Sequence, residues 1–401
     1  MMSKNPIRKS SRAIGLFQGL FLGVFLMTNT LHSSADQALN SAELESAVKP
    51  AIQEMEEGIA GLQSIVTVSL NDDEAHTPPN TMVSASSNTS LDTQFYIGSL
   101  TKPMTAFMML KTLQMLRPGE DLKKVIEEKI SVVFKDFPII KDLQEAGAIW
   151  VNDARIRDVL THQLGIGDYL EDFEGGINVP DVFDRPRDPV VLLSSVSYDP
   201  SIEYAYSNSN SLLTALLIEQ AHGRNFSDLF QEMIASPVGM ISSFAPVQGC
   251  YADLKERPEF SNLATNDGLT IGKEANHIMF IEMSNALGAG NVISTAGDLL
   301  KWGHYLLSTA PTEIRDVMFA HYGIDNEGEI VNLSFGTGDT SYGQIIAHQG
   351  ALDDFASFIG LIPSQNAVIV FLTNKSGNHS DSNRPSIHLH NHVNEWLGVE
   401  D

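Results

Sequence analysis

Apolar positions recur every three or four residues from Ala42 to Ile59, at Leu44, Val48, Ile52, Met55 and Ile59, and this period predicts an amphipathic helix. Ser64 to Leu70 carries β-branched residues in alternation and predicts a strand. The polar stretch Asn71 to Thr89, with Pro78-Pro79, predicts a hairpin turn and a second strand near Met82. Phe95 to Gly98 then leads into a helix over Ser99 to Leu116. Pro103 is compatible with that helix only inside its first turn, which fixes the start at or just before Ser99. From Pro118 to about Ser284 the pattern predicts amphipathic segments at Asp121 to Phe134, Arg155 to Leu160, Ser209 to Ala221 and Ser227 to Ile234. They alternate with loops rich in Pro, Gly and Asp, notably Asp168 to Pro189. Thr295 and Asp298 read as a capping pair for a helix running through Leu307. Strand-like runs follow at Gln344 to Ala347, Ala356 to Ile362 and Val368 to Thr373, and a closing helix from about Ser386 to Leu397.

At 401 residues and 43% apolar content the chain can build an ample core, in one large domain or two interleaved ones. The first 35 residues differ in kind. Lys4, Arg8, Lys9 and Arg12 form a basic start, Ala13 to Met27 is apolar apart from Gln18, and Ser33-Ser34-Ala35 supplies small residues before Asp36. This pattern predicts a secretory signal peptide and an exported, periplasmic or secreted, mature chain; an uncleaved membrane anchor is the alternative. No cysteine follows the apolar stretch, which argues against lipidation there. The net charge of −25 disfavours nucleic acid and anionic lipid as partners. Cys250 is the only cysteine, so no internal disulfide forms, and it reads as a packed or idle thiol.

Candidate chemistry begins at Ser99-Leu100-Thr101-Lys102. The i, i+3 spacing sets a hydroxyl and an amine on one face of a first helical turn, where free N–H groups also favour an oxyanion. The tetrapeptide alone proves little, because Ser46-Ala47-Val48-Lys49 is a second S-x-x-K. Tyr206-Ser207-Asn208 is the only Y-x-N: the phenol can relay protons, and the amide can hold the lysine and donate to a substrate carbonyl. Taken alone, it also fits a tyrosine packed at a helix start with Ser207 and Asn208 as caps. His348-Gln349-Gly350 follows a strand-like run. Gly350 lets a substrate backbone approach, and Ala351 can offer an N–H opposite that of Ser99. A lone histidine at a strand end is also commonly an ordinary surface or core residue.

With these motifs in this order the chain resembles the penicillin-recognising serine hydrolases, in the branch of class C β-lactamases, D-alanyl-D-alanine carboxypeptidases and related esterases. The family's S-x-x-K, Y-x-N and K/H-x-G motifs match Ser99/Lys102, Tyr206/Asn208 and His348/Gly350. Leu160-Thr161-His162, Gly290 to Asp298 and Val370 to Asn374 are supporting matches, so the likeness spans about Ile65 to Trp396. The resemblance implies an α/β (α+β) fold: an antiparallel sheet flanked by helices, from residues 36–117 and 285–401, with a mainly helical insertion at 118–284. It implies a serine hydrolase with Ser99, Lys102 and Tyr206 catalytic, and Asn208, His348, Gln349, Gly350 and Ala351 binding substrate, without cofactor or metal. The substrate would be a small molecule or peptide: a D-Ala-D-Ala-like amide, a β-lactam or an ester. Gln349 stands where the family usually has a hydroxyl that helps hold a carboxylate, which favours a carboxylesterase as the alternative. A non-catalytic binding protein retaining the fold is the second alternative. His162 reads as structural. Lys375-Ser376-Gly377 spells a rival K-[ST]-G, but the resemblance places further strands after the true motif, so Lys375 reads as a strand-exit lysine. His388, His390 and His392 alternate; on a helix only the first and third share a face, and no carboxylate or cysteine completes a metal site. The absence of a G-x-S-x-G elbow argues against an α/β-hydrolase triad.

Overall fold

The computed structural model describes residues 39–70, 80–170, 185–265, 282–326, 328–352, 354–375 and 385–399. The basic and apolar leader, the Pro78-Pro79 turn and Ser376-Gly377 lie outside the described residues. The centre of the fold is an eight-stranded antiparallel sheet in the order β2-β1-β10-β9-β8-β7-β6-β5. Its strands are β1 (Ser64–Leu70), β2 (Asn80–Ala85), β5 (Gly323–Ile324), β6 (Ile330–Val331), β7 (Gly336–Thr340), β8 (Gly343–Leu352), β9 (Phe355–Ile362) and β10 (Ala367–Thr373). A separate two-stranded ladder joins β3 (Gln94–Tyr96) to β4 (Ile293–Thr295). The expected antiparallel sheet with flanking helices is therefore present.

Both faces of the sheet are covered, which is why β10 reads as an unbroken apolar run. Its side chains alternate between two cores. Ile369 and Phe371 pack with Leu44, Val48 and Ile52 of helix α1 (Ser41–Gly58) and with Leu389, Val393 and Leu397 of the terminal helix Pro385–Leu397. Val368, Val370 and Leu372 face the larger core, which contains Trp302 and Phe107. Gly303 lets the helix Ala296–His304 lie directly on β10, since a Cβ there would stand 2.5 Å from Val368 Cγ1. Helix α2 (Thr101–Leu116) lies inside this core and is buried nearly all round, the pattern of a central helix rather than an amphipathic surface one. Between Leu122 and Ala286 the named elements are all helical.

Three expectations are corrected. The stretch Asp121 to Phe134 is not one helical segment but two short helices, Leu122–Val125 and Ile130–Val133. It breaks to pair with a neighbouring strand-like segment: Lys129 bridges Arg155, Ile130 N–H donates to Ala154 O and Ile156 N–H to Glu128 O. Thr295 does cap its helix, accepting from Asp298 N–H at 3.1 Å. The Asp298 carboxylate does not reciprocate, for it accepts from Ser242 N–H, Ser243 Oγ and Lys301 Nζ. Finally, β8 does not end at Ala347: pairing with β9 carries it through His348, Gln349, Gly350 and Ala351 to Leu352.

Candidate active site

The chain reaches the site through β3, then a single 3-10 turn over Gly98–Leu100, then α2. That turn presents Ser99 two residues before the α-helix starts and places Pro103 third in the helix, where its missing N–H costs no hydrogen bond. Two glycines allow a close backbone approach. Gly98 has φ +49°, and a Cβ on it would stand 2.6 Å from Ala351 O and 2.8 Å from Ala351 N. A Cβ on Gly350 would stand 2.1 Å from Ile97 O and 3.0 Å from Ser99 N. Ser357 Oγ ties the layers, donating to Ile97 O at 2.7 Å. The backbones that carry the amides of Ser99 and Ala351 thus lie side by side.

Lys102 is buried (1% exposed) with its ammonium enclosed by three oxygens. Nζ donates to Ser99 Oγ at 2.8 Å, to Asn208 Oδ1 at 2.7 Å and to Ala289 O at 2.9 Å. Burial lowers its pKa to about 7, the Asp168 carboxylate pulling the other way. Tyr206 also hydrogen-bonds to Ser99, and its ring centroid lies 4.9 Å from Lys102 Nζ. Burial pushes the phenol well above its ordinary value, so it is neutral at physiological pH.

Asn208 is the first residue of the helix Asn208–His222, capped by Ser207, whose Oγ accepts from Ser209 N–H. Ser207 thus caps the helix without Asn208, whose side chain instead holds the lysine. Asp168 is the residue that the sequence analysis missed. It is buried, and Oδ2 accepts from both Asn208 N–H (3.0 Å) and Asn208 Nδ2 (2.7 Å), while Oδ1 accepts from Leu170 N–H (3.0 Å). Because Nδ2 must donate to Asp168, Oδ1 must face the lysine. No local pattern marks Asp168; its only signal is an aspartate in a Gly-rich loop, which ordinarily means a turn. Ala289 O, the lysine's third acceptor, follows Gly288, where a Cβ would stand 2.8 Å from Ser211 O.

His348 and Gln349 diverge. On β8 His348 pairs with Ile359 of the larger core, whereas Gln349 pairs with Phe358 of the core under the terminal helices. His348 therefore faces the site, its ring 6.4 Å from that of Tyr206, and Gln349 emerges on the other face. Gln349 meets the site through its backbone: His348 Nδ1 donates to Gln349 O at 2.5 Å. Burial and the lysine's charge push the His348 pKa down to about 3. His162 packs its ring on Tyr206 at 4.5 Å, and its Nδ1 accepts from Ser207 N–H at 3.2 Å. It supports the tyrosine and its helix start.

The other candidates lie elsewhere. Ser46 and Lys49 are on α1; Ser46 Oγ donates to Glu43 O at 2.8 Å, and exposed Lys49 lies 3.6 Å from Glu45. Lys375 directly follows Asn374 at the end of β10 and is buried. Cys250 caps the helix Tyr251–Lys255, its thiol 3.3 Å from Asp253. His388 and His392 face each other on the terminal helix with rings 4.8 Å apart, while His390 packs on Phe358. Among the described residues no helix is long and apolar enough to cross a membrane.

Comparison with known proteins fits this geometry. An unguisins hydrolase of Aspergillus campestris is 27% identical over 304 residues, 72% of this chain and 53% of the relative. Penicillin-binding protein 4* of Bacillus subtilis is 21% identical over 295 residues, 70% and 60% of the two chains. The chain spans between half and two thirds of the length of these curated relatives. In structure it is similar to the D-amino acid amidase of Ochrobactrum anthropi SV3, with a TM-score of 0.66 at 17% identity over 89% of this chain and 98% of the other. Residues 60–392 match the family described as Beta-lactamase. That match covers most of the sequence and contains Ser99, Lys102, Tyr206, Asn208 and His348; the chain belongs to the β-lactamase family.

Proposed function

We propose that the protein is an exported serine hydrolase that cleaves a small peptide or amide through an acyl-enzyme. The observation that carries this reading is the buried Lys102, held between Ser99 Oγ and two fixed acceptors, with a pKa of about 7. In its neutral form the amine keeps two hydrogens for Asn208 Oδ1 and Ala289 O and turns its lone pair to Ser99 Oγ–H. Ser99 Oγ then attacks the substrate carbonyl carbon while its proton passes to Lys102. The N–H groups of Ser99 and Ala351 receive the oxyanion. Collapse breaks the carbon–nitrogen bond, and Tyr206, a neutral phenol hydrogen-bonded to Ser99 with its ring beside Lys102, relays the proton to the leaving amine. Water attacks the Ser99 ester, gives its proton back through the same groups and releases the acid.

An amide as substrate is supported by the relatives' printed names, a hydrolase, D-aminopeptidases and a D-amino acid amidase. Export is supported by the basic and apolar leader, and N-terminal sequencing of the secreted form should begin at Asp36. The catalytic reading is tested by incubating the purified protein with a fluorophosphonate and weighing it intact. One adduct on Ser99, absent in Ser99→Ala, is expected; an unlabelled wild-type protein with no turnover of peptide amides, β-lactams or esters would favour a binding protein on this fold.

A further inference from the structure

The side of the site formed by β8 carries the information about which substrate fits. We propose that this wall accepts hydrogen bonds and does not bind anions, so that the preferred substrate presents an uncharged N–H-bearing group there, such as a carboxamide or an inner peptide unit, and not a free carboxylate. The inference rests on the acyl-enzyme reading above and adds the chemistry of the group beyond the scissile bond.

Three observations carry it. First, His348 Nδ1 lies 2.5 Å from the carbonyl oxygen of Gln349. A carbonyl only accepts, so Nδ1 holds the proton and Nε2 of the neutral ring is left with its lone pair. A carboxylate brought to that edge would set acceptor against acceptor, whereas an amide N–H would be satisfied. Charging the ring to welcome an anion is opposed by its burial and by Lys102, which hold its pKa near 3.

Second, the cation already at the site is fully committed. A protonated lysine has three hydrogens, and those of Lys102 go to Ser99 Oγ, Asn208 Oδ1 and Ala289 O. Turning one toward a substrate carboxylate would break a buried hydrogen bond and take the base away from its serine. Third, the neighbouring side chain on β8 does not help. Gln349 emerges on the opposite face of the sheet, opposite Phe358, so its amide is not aimed beside His348. The chain's net charge of −25 adds a long-range field that disfavours anionic substrates on approach.

The test compares two activated thioesters with the same benzoylglycyl acyl group. One leaves as 2-mercaptopropionate, with a carboxylate; the other leaves as 2-mercaptopropionamide. The released thiol is read by disulfide exchange, and the Ser99 acyl-enzyme by mass spectrometry. The amide-bearing thioester should have a kcat/KM at least about tenfold higher, the effect of a polar group left unpaired. His348→Gln, uncharged but able to donate as well as accept, should weaken that preference without reversing it. His348→Lys should lower the ratio by about tenfold or more, because an ammonium gives the carboxylate a charge-assisted partner. Equal rates, or a wild-type preference for the carboxylate, with Ser99 acylated by both, would overturn the inference and leave the hydrolase reading standing. Neither thioester acylating Ser99 would remove the hydrolase reading and the inference with it. Should His348→Lys not fold, the wild-type ratio decides alone.

Discussion

The chain contains the same tetrapeptide pattern twice, and the two copies have opposite fates. Ser46 and Lys49 sit on the outside of α1, where the hydroxyl is used up by a carbonyl three residues back and the amine pairs loosely with Glu45 in solvent. Ser99 and Lys102 have the same spacing, but their helix is buried nearly all round and begins against the edge of β8. What separates them is therefore not the motif but what surrounds the amine. Water around Lys49 solvates its charge. Lys102 has exchanged water for three oxygens of this chain, and the desolvation that this entails brings its pKa to about 7. A lysine one turn from a serine becomes a usable base near neutrality only where the fold withholds water from it and still satisfies its hydrogens.

The largest effect should come from removing the nucleophile of the buried copy. Ser99→Ala should lower kcat/KM by on the order of 10⁴ or more, since loss of a nucleophile removes the covalent path. Its melting temperature should stay near that of the wild type. Next comes Lys102→Met, which keeps the apolar stem and deletes the amine; a loss of about 10²–10⁴ is expected, the range of a positioned general base. Hydroxide should rescue it in part, so its kcat/KM should keep rising above pH 9, where the wild type is flat.

A smaller and more diagnostic effect should follow from Asp168→Asn. The carboxylate orients Asn208 and is the negative charge that raises the affinity of Lys102 for its proton. Losing it should slow turnover by about 10–100-fold through misplacement of the amide. It should also lower the Lys102 pKa further, so the acidic limb of the kcat/KM profile moves to lower pH. A purely structural Asp168 would change the amplitude and leave that limb in place. At the small end, Ser46→Ala and Lys49→Met should leave both rate and melting temperature within error, as expected of exposed positions. Loss of activity in either would make the two copies functionally alike and undo the comparison.

The history of each residue shows why some of this was legible in the sequence and some was not. Ser99, Lys102 and the position of Pro103 follow from local rules: helical spacing, and the one place where a helix tolerates proline. The strands announce themselves in different ways: β10 by an unbroken apolar run, as both sheet faces are buried, β9 by an apolar run interrupted only at Ser357 and Gly360, and β1 by its alternating β-branched residues. Asp168 could not be read this way, because its meaning lies in Asn208, forty residues on, and in a loop whose composition says only turn. The continuation of β8 past Ala347 was hidden for a similar reason. Gly350 weakens any local strand signal, and it is pairing with β9 that holds those residues extended. The direction of Gln349 depends on that register and became visible only with it. The short strands β5 and β6, two residues each, carry too little pattern to be found from sequence.

The central claim is that burial turns Lys102 into a base near neutral pH, and its own titration tests this most directly. With lysine ε-carbons labelled, the Lys102 resonance can be assigned as the one missing from Lys102→Met and followed by NMR across pH 5 to 11. The account predicts a single transition centred near pH 7, coinciding with the acidic limb of kcat/KM. A midpoint near the ordinary lysine value of about 10.4 would contradict it.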